Sequence, residues 1–361
     1  MKTMEQSNVC APKKSRDLGI ELFRIAAMFL IVLLHVLGRG GVYGGAEYLG
    51  TNYKIAWFLE TAAYCSVNCY ALISGFVGIH SRFRFRKIVY LWLEVAFITL
   101  STTALFAIFA PHYVEADDWL KAAFPLIKRE YWYFNAYALM FPFIPLLNKG
   151  LLSISRRQHL TTMGFLFVVT TILPILGDRD LFQLGGGYSC LWLMVLYVFG
   201  AYFKLYGIPK FAHPLLSLSI FLLTTAVAWA QKIGWIPFGD AGLLIGYTSP
   251  AMVIMAVSLL CIFAKINVRG KLLRLAVTHL GKATFGVFLV HVGAMSWKVI
   301  GGRWAHFGQL HPIQMVLAVL AAAVSMYAIS SAYSSLRILI FRVLRIHKAV
   351  DAVADLLNGG K

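Results

Sequence analysis

The chain has 361 residues, of which 60% are hydrophobic and 13% charged, with a mean hydropathy of +0.73. That composition excludes an ordinary soluble domain and reads as an all-α integral membrane protein. The formal net charge of +18 does not point to nucleic acid, because the cations are distributed as a membrane topology signal.

Taken in chain order, about ten apolar runs approach membrane-spanning length: 20–37, 55–79, 88–110, 132–147, 160–176, 189–206, 214–230, 243–264, 283–300 and 313–336. The first is too long for a signal-peptide core. Leu37-Gly38-Arg39-Gly40 also lacks a small-residue cleavage pattern, so the run is expected to persist as a helix. Basic residues gather in every second gap. Lys13, Lys14 and Arg16 precede the first run; Arg82, Arg84, Arg86 and Lys87 follow the second; Lys149, Arg156 and Arg157 follow the fourth. Lys204 and Lys210 continue the pattern, then Lys265, Arg269, Lys271, Arg274 and Lys282, and finally Arg337, Arg342, Arg345 and Lys348. Acidic residues such as Glu115, Asp117, Asp118, Glu130, Asp178 and Asp180 occupy the opposite loops. By the positive-inside rule both termini are cytoplasmic and the bundle has about ten transmembrane helices. The expected layout is one transmembrane domain, 17–346, between cytoplasmic tails 1–16 and 347–361, with no appended soluble enzyme and no repeat. Four of the 5 cysteines fall in apolar runs, and no ligand spacing suggests a metal, so neither a disulfide framework nor a metal site is expected.

Against this background the polar residues inside the runs stand out. An ionisable group at bilayer depth costs several kcal/mol unless it faces protein or water, so Arg24 and His35 on the first run mark a functional site. They lie about 16 Å apart along a helix axis, with Arg24 toward the cytoplasmic side and His35 toward the outside. Glu60, early in the second run, is placed to meet His35, either as a carboxylate that orients a basic imidazole or as half of a structural ion pair. Ser74-Gly75-Phe76 lies further along the same run, where Ser74 can bond backbone or ligand and Gly75 and Gly78 permit close helix packing. Four cations in Arg82-Phe83-Arg84-Phe85-Arg86-Lys87 suit the bilayer surface or a ligand carrying several phosphates. Glu94 is expected to neutralise Arg24 or a loop arginine. At the start of the fourth run, Trp132, Asn135 and Tyr137 read as an interfacial belt or as contacts for a hydroxylated acceptor. His291, near the middle of the ninth run, either lines the same cavity or is a satisfied core histidine.

The string Leu22-Phe23-Arg24 to Leu34-His35, with ten residues between arginine and histidine, resembles the signature of the acyltransferase 3 family. Tyr70 to Phe76, Tyr131-Trp132-Tyr133 followed by Pro145, and Gly281 to His291 resemble that family in matching order, over about residues 16 to 340. The resemblance implies transfer of an acyl group, usually acetyl, from cytoplasmic acyl-CoA to a hydroxyl or amine of a carbohydrate, a lipid-linked or glycolipid acceptor, or a cell-wall component. It implies that His35 is the catalytic base, that Arg24 helps to bind the coenzyme, and that a loop arginine contacts CoA phosphate. The family pattern has two arginines separated by two residues, whereas Arg82, Arg84 and Arg86 alternate here and Lys87 stands three after Arg84. Asn68, Asn135 and Tyr137 are the candidate donors to the developing oxyanion. The partners expected are acetyl-CoA or another acyl-CoA, the acceptor and the lipid bilayer, in the plasma or inner membrane of a bacterial cell. A transporter or flippase using the same polar groups as a substrate path is the alternative.

Overall fold

The computed structural model describes residues 17–81, 84–177 and 180–357, and among these every regular element is helical. In chain order the α-helices are α1 Leu18–Leu37, α2 Val42–Gly45, α3 Thr51–Tyr64, α4 Ser66–Gly78, α5 Phe85–Phe109 and α6 Ala116–Ala123. There follow α7 Trp132–Met140, α8 Ile144–Ser153, α9 Arg156–Phe167, α10 Leu173–Leu176, α11 Cys190–Tyr206 and α12 Pro214–Lys232. The last are α13 Pro250–Phe263, α14 Lys271–Val292, α15 Ala294–Ile300, α16 Pro312–Val343 and α17 Ile346–Leu357.

Among the described residues, six segments are long and apolar enough to cross a membrane: Leu18–Gly45, Arg86–Phe109, Arg156–Leu176, Pro214–Lys232, Lys271–Val292 and Pro312–Val343. Cys190–Tyr206 and Pro250–Phe263 are shorter apolar helices. Many apolar side chains on α12 and α16, among them Leu215, Leu223, Leu317 and Leu336, are exposed, as expected where the solvent is lipid. Two expected runs are divided. Residues 55–79 form α3 and α4, which meet at Cys65, and residues 132–147 break at a 3₁₀ turn, Phe141–Phe143, where Pro142 and Pro145 remove helical N–H donors. The run containing Pro174 instead stays helical by widening into a π-turn, Val168–Ile172.

The buried centre is α1, packed against α3, α4, α13, α14 and α16. Its N-terminus is capped by Asp17, whose side chain accepts from Ile20 N (3.3 Å). The closest helix pair is α4 with α11. There a Cβ on Gly75 would collide with the Tyr197 carbonyl, and one on Gly200 with the Leu72 carbonyl. Gly75 thus serves the close approach its sequence setting implies. On the His35 side, Lys298 of α15 bonds Asp118 of α6 (2.6 Å), and ion pairs with Lys121 and Lys128 hold the exposed Asp117 carboxyl below its ordinary range. On the Arg24 side, the expected tail 347–361 begins inside α17, which packs on α5 and α16.

Candidate active site

Two cavities lie end to end along α1. The first, about 660 Å³, gathers Arg24, Lys282, Arg337, Arg342 and His347 around a single carboxylate, Glu94. The second, about 490 Å³, contains His35, Arg39, Glu60, Trp132, Tyr188 and Tyr247. Tyr70, Tyr133 and Phe285 line both and form an aromatic collar between them. The Tyr70 hydroxyl donates to the Arg24 carbonyl (2.9 Å), which fixes one side of the collar to α1. Arg24 and His35 therefore stand on opposite sides of one constriction.

His35 is held by a second histidine. Its Nδ1 lies 3.0 Å from His291 Nε2, while His291 Nδ1 lies 2.6 Å from the Val287 carbonyl. A carbonyl only accepts, so His291 Nδ1 carries hydrogen and its Nε2, in the neutral ring, accepts. His35 Nδ1 must then donate, which leaves His35 Nε2 as the nitrogen with a lone pair. The Trp297 indole packs edge-on against His35, with centroids 5.3 Å apart, and Arg39 lies 4.8 Å over the same indole. The arrangement presents one fixed, unprotonated imidazole nitrogen among aromatic walls.

The pairing differs from the sequence expectation. His35 bonds His291 rather than Glu60, because α14 passes α1 at that depth. Glu60 is buried on α3 and lines the same cavity, with Oε2 unpartnered among the described residues. His291 does not line that cavity; it sits behind His35 and borders a crevice of about 620 Å³ between α14, α15 and α16.

On the other side of the collar, Arg24 pairs with Glu21 one turn earlier (3.4 Å). Glu94 pairs with Arg337 of α16 rather than with Arg24 or the loop. Ser74 lines the Arg24 cavity and donates to Tyr70 O (2.9 Å). The cationic loop is placed differently from expectation. Arg82 lies outside the described residues, Arg84 and Lys87 are exposed, and Arg86 bonds Asp351 of α17 (2.8 Å). None of the described three lines the cavity.

The acceptor and oxyanion candidates separate by depth and face. Trp132 reaches the His35 cavity, whereas Tyr137, little more than one turn later, faces the Arg24 cavity. Asn135 points to the opposite face of α7 and donates to Leu126 O (2.9 Å), because two residues of α-helix turn a side chain through roughly 200°. Both polar atoms of Asn68 are committed, donating to Tyr247 O (2.7 Å) and accepting from Trp192 Nε1 (3.0 Å). Neither asparagine reaches the cavities.

Sequence reasoning did not select Lys282, Arg337, Arg342 or His347, which it counted only as topology charges, if at all. Arg337 carried a usable signal: it stands where a long apolar helix continues as Ile338-Leu339-Ile340-Phe341, and it is 3% exposed. Among the described residues no group of three or more His, Cys, Asp or Glu gathers as a metal site.

No curated protein and no solved structure matches the chain. A family model described as an acyltransferase domain does, over residues 17–334. That span is nearly the whole chain and includes both cavities' α1 and α14 walls, so this multi-pass membrane protein belongs to the acyltransferase 3 family and is an acyltransferase.

Proposed function

We propose that the protein transfers an acetyl group from cytoplasmic acetyl-CoA to a hydroxyl of an extracytoplasmic carbohydrate, glycolipid or cell-wall acceptor. The observation that carries this reading is the His35 pair, an oriented imidazole placed beyond a collar from a cationic cavity. In this reading the Arg24 cavity opens to the cytoplasm and the His35 cavity to the opposite side, as the charge bias of the loops suggests. The coenzyme's slender pantetheine arm passes Arg24 and the collar, so the thioester reaches His35 without the nucleotide crossing. The acceptor enters from the other end, where Glu60, Trp132 and Arg39 offer it a hydrogen-bond acceptor, an aromatic face and a cation.

The acceptor oxygen attacks the thioester carbon while His35 Nε2 removes its proton. The C–O bond forms, the C–S bond breaks, and the proton passes from His35 to the departing sulfur. His291 accepts from Nδ1 throughout and so stabilises the imidazolium that forms between the two transfers. Membership of the acyltransferase family favours the transfer reading over a transporter.

Comparing envelope glycans by mass spectrometry, with and without the chain, tests the reading: acetyl-sized mass increments that depend on the chain are expected, and identical spectra would refute it. A finer test falls on His291. His291→Ala is expected to lower kcat by roughly 10- to 100-fold with little change in the KM for acetyl-CoA. His291→Gln, which keeps an acceptor beside His35, should recover part of the loss. Equal activity of all three proteins would remove His291 from the mechanism.

A further inference from the structure

The cations that line the Arg24 cavity do not come from the basic loop. They come from α1, α14 and α16. Their commitments are graded. Arg337 is buried against Glu94, and Arg24 is bonded to Glu21. Lys282 and Arg342 are exposed and, among the described residues, in no ion pair. Beside them, at the same mouth, Tyr90 and His347 stack with centroids 4.4 Å apart and planes inclined by 12°. Arg86 is occupied in strapping α17 to α5 through Asp351, which places His347 over this mouth.

We propose that Lys282 and Arg342 hold the phosphates of an adenine nucleotide at this mouth, with the Tyr90 and His347 stack as the flat surface for its purine. Two cations on separate helices, with planar groups beside them, suit a ligand carrying separated phosphates and an aromatic base. The cavity volume, about 660 Å³, lies within the range of cofactor sites. The inference rests on the acyl-CoA reading above and specifies which residues take the coenzyme's nucleotide end. The loop then acts indirectly, by positioning α17.

The test uses the full chain in detergent micelles and adenosine 3′,5′-bisphosphate, the phosphate-rich end of CoA, as the calorimetric probe. Lys282→Ala and Arg342→Ala are each expected to weaken its binding about tenfold. In transfer assays the preference for acetyl-CoA over S-acetyl-pantetheine, which lacks every phosphate, should fall by a similar factor in each variant. Both side chains are exposed, so loss of fold does not confound the result. Wild-type affinity in both variants, with the loss appearing in Arg84→Ala or Lys87→Ala instead, would return the phosphates to the loop and overturn the proposal. Failure of wild-type protein to transfer acetyl from either thioester, with nucleotide binding intact, would instead refute the acyltransfer reading.

Discussion

Replacing His35 by alanine is expected to lower kcat for acetyl transfer roughly 10²- to 10⁴-fold, the usual contribution of a positioned general base, while the KM for acetyl-CoA stays close to its wild-type value. The split follows from where the ring sits. His35 lies across the collar from the cationic cavity, so its removal leaves that cavity's cations in place and takes away the nitrogen proposed to receive the acceptor proton. Position on α1 makes the test clean. The ring borders a cavity and, among the described residues, hydrogen-bonds to His291, so truncation enlarges a space that already exists. Steady-state rates with labelled acetyl-CoA check the prediction. Undiminished kcat would eliminate His35 as the base, and a rise in KM with constant kcat would make it a binding residue.

The second large effect is on stability. Glu94 and Arg337 form an ion pair between α5 and α16 in which both side chains are nearly inaccessible. Truncating one partner leaves the other charged in a low-dielectric setting, which typically costs about 3–5 kcal/mol. Glu94→Ala should therefore lower the thermal unfolding midpoint in detergent markedly. The double variant Glu94→Leu with Arg337→Met replaces both charges by apolar groups and should unfold closer to wild type, since apolar replacement of a buried pair is often neutral or better. A wild-type midpoint for Glu94→Ala would show that the pair does not hold these helices, and a double variant no better than the single one would show that the loss does not come from the charge left unpaired.

Much of this site was legible because membranes make polar residues expensive. Arg24 and His35 announced themselves by occupying an apolar run, and they are well separated along one helix, where the structure has them lining different cavities. Gly75 was legible for a related reason: a residue without a side chain in an apolar helix marks a close neighbour. Partners were not legible. His35 meets His291 from 256 positions away, and Glu94 meets Arg337 from 243, distances at which no periodicity in the chain carries information. Faces were legible in principle but lost at α7, where the expected continuous run hid the short helix that sends Asn135 and Tyr137 in different directions. The cations of the Arg24 cavity were obscured for a third reason. Lys282 and Arg342 belong to a charge distribution that the topology bias alone accounts for, so a ligand role would add no separate signal in the sequence.

In the proposed reaction an acyl group crosses between the two cavities while its carrier stays behind. Sided membrane vesicles carrying the chain test it most directly, with acetyl-labelled CoA supplied only at the face where the Arg24 cavity opens. Label covalently bound to envelope acceptor on the opposite face is expected, with free CoA recovered where it was added and labelling by His35→Ala slowed roughly 10²- to 10⁴-fold. Transfer at the wild-type rate by that variant, or a requirement for the coenzyme on the His35 face, would contradict it.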